Sequence, residues 1–398
     1  MRLWKKILLI LLAAIVLLQL PFVYRRYQIG QLAEKIDQLN AQRSSPQDPR
    51  FKEYRGIIHA HTSLGGHSTG SFDELISAAN ANDLDFVIMT EHYTDLYDTS
   101  ALTLNGFYGK TLFIGGNEID TADGDRFLMI PGSADAASLR KMPTTAVLEK
   151  LHSENRLALI TYPEKFNSWD SNFDGDEVFS LHTQMKKANP FTLFFDLIWS
   201  YPAYPELTLA THFHRPEANL KKFDEIAAKR PISLTVGTDA HSNIGFHLFG
   251  DDAGNKLLSL KLDPYQRIFR IARVHVLLPA DQPVTRQSIV YALRSRHSYI
   301  GLDSLADSSG FSLTVEGGSA IMGDEAPLAG SGRLIATSPL NARIVLMKNG
   351  EKTAETSGKQ MAADITGPGS YRVELYLDQL GSPVDKIPWI ISNPIYVR

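Results

Sequence analysis

The sequence predicts an α/β protein, on three observations. Short β-leaning runs alternate with amphipathic segments from Arg55 to about Gly301. Ahead of them lies an apolar segment, Ile7 to Tyr24, broken only by Gln19. Beyond Gly301 the texture changes, and short β-leaning runs are separated by turn residues. Strand–helix alternation signals a parallel sheet, open or closed into a barrel, and a count of about seven strands favours the barrel. At 398 residues the chain is too long for one ordinary domain.

The N-terminal segment comes first. Its 18 residues approach the ~20 needed to cross a bilayer as a helix. Arg2, Lys5 and Lys6 precede it, and Arg25 and Arg26 follow. A cleaved signal peptide is the rival reading, but it would want a small-x-small exit, and this exit is Leu20-Pro21-Phe22-Val23-Tyr24. The expectation is an uncleaved transmembrane anchor over residues 1–27. The flanking charges favour a single pass with a cytoplasmic N-terminus and everything after Arg26 extracytoplasmic. Leu32, Ile36 and Leu39 then stand in a short heptad-like pattern, read as a helical stalk. Ser44-Ser45-Pro46-Gln47-Asp48-Pro49 reads as a linker, so stalk and linker fill residues 28–54.

Residues 55–302 form the expected barrel domain. Candidate strands are Gly56–His59, Phe86–Thr90, Thr111–Gly115, Phe127–Ile130, Leu157–Thr161, Val178–Leu181 and Ile232–Val236. Helical patterns lie between several of them, as in Phe72–Asn82, Ala146–Glu154 and Leu220–Lys229. Residues 303–398 carry β-leaning runs at Phe311–Val315, Arg333–Thr337, Ala342–Lys348, Tyr371–Leu377 and Pro394–Arg398. Asn349-Gly350 between two of these is a strong hairpin signal. A small C-terminal antiparallel β-sandwich is expected, with no chemistry of its own.

Composition narrows the function. Hydrophobic residues make up 43% of the chain, enough for a large core. A net charge of −4 with mixed signs, and no basic stripe, argues against nucleic acid as partner. There is no cysteine, which excludes disulfides and thiolate metal ligands.

The chemistry-bearing residues fall at predicted strand ends. Gly56-Ile57-Ile58 runs into His59-Ala60-His61, and side chains two apart on a strand point the same way. His67 follows across Gly65-Gly66, which lets the chain turn back. Thr90-Glu91-His92 closes the second strand, Gly116-Asn117-Glu118 follows the third, and Gly237-Thr238-Asp239-Ala240-His241 follows the last. In α/β barrels the loops at the C-terminal strand ends converge, so these side chains would gather at one rim.

His-x-His-Thr, Thr-Glu-His, Gly-x-Glu and Asp-x-His, in this order after successive strands, resemble the PHP (polymerase and histidinol phosphatase) family of metal-dependent phosphoesterases. With the tail Ser392-Asn393-Pro394-Ile395-Tyr396-Val397, the pattern looks like the carbaryl-hydrolase-like branch. The resemblance covers roughly residues 55–300 and is weaker in the tail. It implies a distorted (β/α)7 barrel holding one to three divalent ions, commonly zinc, manganese or iron. It implies one ion held by His59, His61, Glu118 and Asp239, with Glu118 able to bridge to a second, and a further ion held by His67, His92 and His241. The family's His-Pro pair after the fifth strand is here Tyr162-Pro163, so Tyr162, Glu164 or His182 would fill that place, or fewer ions bind. The implied activity is a membrane-anchored hydrolase acting on a small-molecule ester, phosphorylated in the first instance. An ester or carbamate hydrolase of the same fold, and a non-catalytic metal-binding scaffold or sensor at the membrane, are the alternatives.

Glu91 and His182 are the candidate catalytic groups beside the ligands, Glu91 as an outer partner of the ligands or a proton shuttle. His212, His214 and Arg215 form a second His-x-His with a possible anion clamp. His247 could line the pocket mouth, and Lys165 could meet an anionic substrate. His152, His275 and His297 read as structural or exposed.

Overall fold

The computed structural model describes residues 3–44, 48–250, 256–318, 320–328 and 332–398, with no side-chain description for 245–250 and 256–260. The middle of the expected linker, residues 45–47, lies outside this set, as does the side chain of His247.

One helix, Leu3–Ala41, carries both the expected anchor and the expected stalk. It is long and apolar enough to cross a membrane, a property that a signal sequence shares. Its two halves differ in surroundings. Residues 3 to 18 are exposed, whereas Phe22, Ile29, Leu32 and Ile36 are buried. That spacing is one face of a helix, so the stalk packs on the rest of the protein.

The strands are β1 (Phe51–Ala60), β2 (Phe86–His92), β3 (Gly106–Tyr108), β4 (Thr111–Asp120), β5 (Arg126–Ile130), β6 (Leu157–Ile160), β7 (Gly175–Ser180) and β8 (Ser233–Gly237). A separate hairpin, β9 (Gly245–Gly250) and β10 (Lys256–Lys261), follows. Then come β11 (Arg273–Pro279), β12 (Ser298–Gly301), β13 (Ser312–Val315), β14 (Glu325–Ala326), β15 (Arg333–Lys348), β16 (Glu351–Asp364), β17 (Gly369–Tyr376), β18 (Ile390–Ser392) and β19 (Ile395–Val397).

Strand β1 pairs in parallel with β2, and β2 with β4. The β4–β5 and β5–β6 pairings are antiparallel, and parallel pairing resumes at β6–β7 and β7–β8. The structure is thus mixed α/β with a large sheet that does not close, where a distorted (β/α)7 barrel was expected. No ladder joins β8 to β1. The junction is one parallel bridge, Ala60 to Ala240, with Thr238 N donating to Ile58 O at 3.2 Å and His61 N to Ala240 O at 3.0 Å. The backbone explains the missing ladder. His59 (φ 72°) and Asp239 (φ 47°) are in the left-handed region, and the β1–β2 register shifts at His59. Extended pairing cannot run through such residues.

The C-terminal strands belong to the same hydrogen-bonded sheet through β12–β18. Strand β15 pairs with both β16 and β17. The two runs read as separate strands at 333–337 and 342–348 are one long strand, with a register shift between Thr337 and Ala342. The Asn349-Gly350 turn joins β15 to β16 with both residues at positive φ, 50° and 86°, as a two-residue hairpin requires. The tail is tied to β8. Asn393 accepts from Leu234 N at 2.8 Å and donates to Ser298 O at 2.9 Å, while the Tyr396 hydroxyl accepts from Ile232 N at 3.0 Å. The tail therefore fixes the strand that delivers Asp239.

Candidate metal centre

Strand ends bring the His, Glu and Asp side chains together. The ligand atoms of His59, His61, Glu118 and Asp239 all lie within 4.8 Å of one another, and all four residues are buried. His59 Nε2 lies 3.5 Å from Glu118 Oε2 and 3.3 Å from Asp239 Oδ1. His61 Nε2 lies 3.4 Å from Glu118 Oε2 and 3.5 Å from Asp239 Oδ1. His59 Nε2, His61 Nε2, Glu118 Oε2 and Asp239 Oδ1 are buried without a hydrogen-bond partner. Buried polar atoms are nearly always paired, so four orphans converging on one point call for a common partner. Two imidazoles and two carboxylates fit a divalent cation, and without thiolates the set does not choose between zinc, manganese and iron.

A second group shares His61. His61, His92 and His241 bring ring nitrogens within the same 4.8 Å span. Glu118 Oε2 also lies 3.4 Å from His92 Nδ1, so it stands between the two groups. His67 is outside both; it is exposed, with its ring edge-on to His92 at 5.2 Å.

Tyr162 occupies the place where the resemblance calls for His. It takes left-handed backbone (φ 55°), and its hydroxyl donates to Asp239 Oδ2 at 2.5 Å. Burial and the Asp239 carboxylate push the phenol pKa up, so it stays a neutral donor. His182 stands at the mouth, 3.7 Å from Asp239 Oδ2 through Nδ1. Glu164 turns away and accepts from Asn219 Nδ2 at 3.0 Å.

Glu91 faces elsewhere too. Neighbours on a strand point to opposite sides, so Glu91 and His92 cannot both face the centre. The Glu91 carboxylate accepts from Thr62 N at 3.0 Å, Thr62 Oγ1 at 2.7 Å and Thr103 Oγ1 at 3.0 Å. It fixes the turn just after His61. Burial raises its pKa against those donors.

Glu177 is one residue of the candidate centre that sequence reasoning missed. Its Oε2 lies 2.7 Å from His59 Nδ1, which leaves His59 Nε2 for the cluster. Such an outer partner fixes ring orientation and tautomer. Gly237 makes room for it, since a Cβ there would fall 1.8 Å from Glu177 Oε2. Strand β7 begins at Gly175, not at Val178, and all six of its residues are buried. Arg126 was also overlooked; its guanidinium donates to Glu118 Oε1 at 3.4 Å and to Asp120 at 2.6 Å.

Charge is finely divided. Burial opposes a charge on His59, yet Glu177, Asp239 and Glu118 together raise its pKa well above normal. Burial drives His61 down to about 3, so that ring is neutral. His92 and His182 are lowered, again chiefly by burial. Burial opposes ionisation of Glu118 and Asp239, but the charge on His59 holds both carboxyls below the ordinary range.

The remaining histidines have other work. His212 Nε2 contacts Asp196 at 2.9 Å, Arg215 forks onto Glu374 at 2.6 and 2.8 Å, and His214 N bonds Gln184 at 2.9 Å. The second His-x-His is therefore an internal tie, not an anion clamp. His152, His275 and His297 pair with Asp174, Asp303 and Asp324 respectively.

No family model and no curated protein matches the chain. Several solved structures are similar to it. One is PsfC from Pseudomonas syringae PB-5123, at 14% identity and TM-score 0.36, covering 63% of this chain and 94% of that one. Another is a two-domain protein from Bacteroides vulgatus ATCC 8482 containing a predicted PHP-like metal-dependent phosphoesterase, at 12% identity and TM-score 0.35, covering 89% of this chain and 98% of that one. Both likenesses are too distant to carry a functional argument, which rests on the residues themselves.

Proposed function

We propose that this protein is a membrane-anchored, metal-dependent hydrolase of the PHP type, acting on a phosphoester. The observation that carries the reading is the convergence of four partnerless buried atoms, on His59, His61, Glu118 and Asp239. These residues would hold one divalent cation, and His92 and His241, with Glu118 between, would hold a second. A bound divalent cation supplies Lewis acidity and an acidified water. The chain's own residues do the rest. Glu177 orients His59. Tyr162 donates to the Asp239 oxygen turned away from the cluster and borders a cavity of about 280 Å³ lined also by Arg126, Lys165 and Lys186. Asp120 also lines it and holds Arg126, so Lys165 and Lys186 are the cations that suit an anionic substrate. His182, neutral at the mouth, is placed to move a proton.

The bridge between β1 and the exit of β8 supports reading residues 55–302 as a distorted barrel with its rim at this centre. Residues 303–398 are read as the smaller β-sandwich unit. The packing of Phe22, Ile29, Leu32 and Ile36 supports an uncleaved anchor, since cleavage after Tyr24 would strip Phe22 from its site. The catalytic part is read as extracytoplasmic.

The Tyr162–Asp239 contact favours a second reading, a scaffold that binds metal without turnover. One experiment separates the two. Purified chain loaded with zinc or manganese is offered p-nitrophenyl phosphate, bis(p-nitrophenyl) phosphate and p-nitrophenyl acetate. Turnover of a phosphoester that Asp239→Asn abolishes is the expected result. Bound metal with no hydrolysis of any of the three leaves the scaffold.

A further inference from the structure

The metal centre has two unlike flanks. On one side is the cavity with Arg126, Lys165 and Lys186. On the other is an apolar cavity of about 190 Å³, which His182 and Asp239 share with Met185, Leu193, Leu197 and Phe213. Its other acid, Asp263, is occupied by the backbone N–H groups of Asn243 and Ile244 at 3.0 and 2.8 Å. A slot with so few free polar groups beside an ionic centre fits a hydrocarbon chain.

The source of that chain is indicated by the helix Pro190–Trp199. Leu193 and Leu197, one turn apart, line the cavity. On other faces Phe191, Phe194 and Ile198 are 65%, 54% and 51% exposed, a group of large apolar side chains that stay largely uncovered although Phe191 and Phe194 touch the Phe195 ring edge-on. This helix is bound to the N-terminal helix where the apolar stretch ends. Phe22 stacks on Phe195 with centroids 4.3 Å apart, Trp199 Nε1 donates to Gln19 at 3.0 Å, and Arg25 bonds Asp196 at 2.6 Å. Once the N-terminal helix spans a bilayer, Phe191, Phe194 and Ile198 lie at its interface, where aromatic and apolar side chains are stable. One helix thus touches the bilayer on one side and the cavity beside the metal ligands on the other.

We propose that the substrate is a membrane amphiphile whose phosphorylated head sits at the metal centre while its alkyl chain, drawn from the adjoining leaflet, fills the cavity lined by Leu193, Leu197 and Phe213. The inference rests on the hydrolase reading above for the head group and deepens it.

The test uses the full, zinc-loaded chain in phosphatidylcholine nanodiscs, with empty nanodiscs as the blank. Binding of octylphosphonate and ethylphosphonate, neither of which a phosphoesterase can cleave, is measured by calorimetry. Burying about two methylenes suffices for a tenfold gain, so octylphosphonate should bind at least tenfold tighter. The ratio should fall toward one in Leu193→Asn and Leu197→Asn. Equal affinities in the wild-type chain overturn the proposal, and phosphoester turnover then decides separately whether the hydrolase reading stands. A preference that survives both substitutions overturns the placement of the chain in this cavity. A preference lost in both, with no phosphoester turnover, upholds the ligand class and overturns the hydrolase reading. Binding of neither phosphonate overturns the proposal, and with no phosphoester turnover it overturns the hydrolase reading as well.

Discussion

Glu177 Oε2 sits 2.7 Å from His59 Nδ1, and both side chains are fully enclosed. The contact sets which nitrogen of His59 meets the other ligands. Its loss should act on cation binding before it acts on chemistry. Glu177→Gln is expected to weaken zinc affinity about 10–100-fold, read by competition with a chromogenic chelator. Gly237→Ala should do the same, because the new methyl displaces Glu177. Unchanged affinity in both variants would remove Glu177 from the account.

Tyr162 caps Asp239 Oδ2, the oxygen that His182 Nδ1 approaches to 3.7 Å, and His182 joins neither ligand group. The wild-type chain is therefore expected to bind at most two ions. Tyr162→His replaces the phenol with an imidazole and should raise the ion count, measured by elemental analysis after dialysis against zinc. Tyr162→Phe should leave the count unchanged. Equal counts in wild type and Tyr162→His would show that Tyr162 does not limit occupancy.

His275 ties β11 to β1 away from the metal centre. Its Nδ1 lies 2.7 Å from Glu53 and its Nε2 3.2 Å from Asp303. Burial opposes its charge, but Asp303 and Glu53 outweigh burial and raise the pKa to about 9. A raised histidine pKa stabilises the fold fully below the unfolded value of about 6.5, and that contribution is lost as pH rises through about 9. The contribution amounts to roughly 3 kcal/mol at most, at 1.36 kcal/mol per unit. Urea unfolding should show stability falling between pH 6.5 and 9.5. His275→Gln should flatten that fall. A fall of the same size in the variant would place the titration elsewhere.

Asp196 holds Arg25 of the N-terminal helix and His212 of the body at once. Asp196→Ala leaves His212 enclosed without its acceptor, at a cost of about 1–3 kcal/mol. The melting temperature of the nanodisc-embedded chain should drop, and the junction near Arg25 should become cleavable by trypsin. An unchanged melting temperature and an uncut junction would show that the anchor is held by Phe22 and its neighbours alone.

Much of the centre was legible because ligands lie beside strands with ordinary apolar signatures. Ile57-Ile58 announces β1, Phe86–Met89 announces β2, and the acid or imidazole follows at once. The period-of-two argument for His59 and His61 reached the right pair by a simplified route, since His59 is a bulged, left-handed residue rather than an extended one. Glu177 lies just ahead of the candidate strand Val178–Leu181 and in none of the ligand motifs, yet Gly175, Asp176 and Glu177 are all buried in β7. Of the two roles expected for Glu91, its bonds to Thr62 beside His61 agree with that of an outer partner, since sequence neighbours on a strand face opposite ways and His92 is the one turned to the cluster. The antiparallel turn through β5 was not visible, because orientation depends on pairing partners rather than on the run Arg126–Ile130 itself. Strand β16 escaped notice since its polar, largely exposed residues pair mainly through backbone. The long hairpin to which it belongs was nonetheless announced by Asn349-Gly350.

Anomalous scattering from crystals of the zinc-loaded chain, collected across the zinc edge, tests the central claim most directly. The account predicts a peak about 2.0–2.2 Å from His59 Nε2, His61 Nε2, Glu118 Oε2 and Asp239 Oδ1. A peak elsewhere, or none between those four atoms, would contradict it.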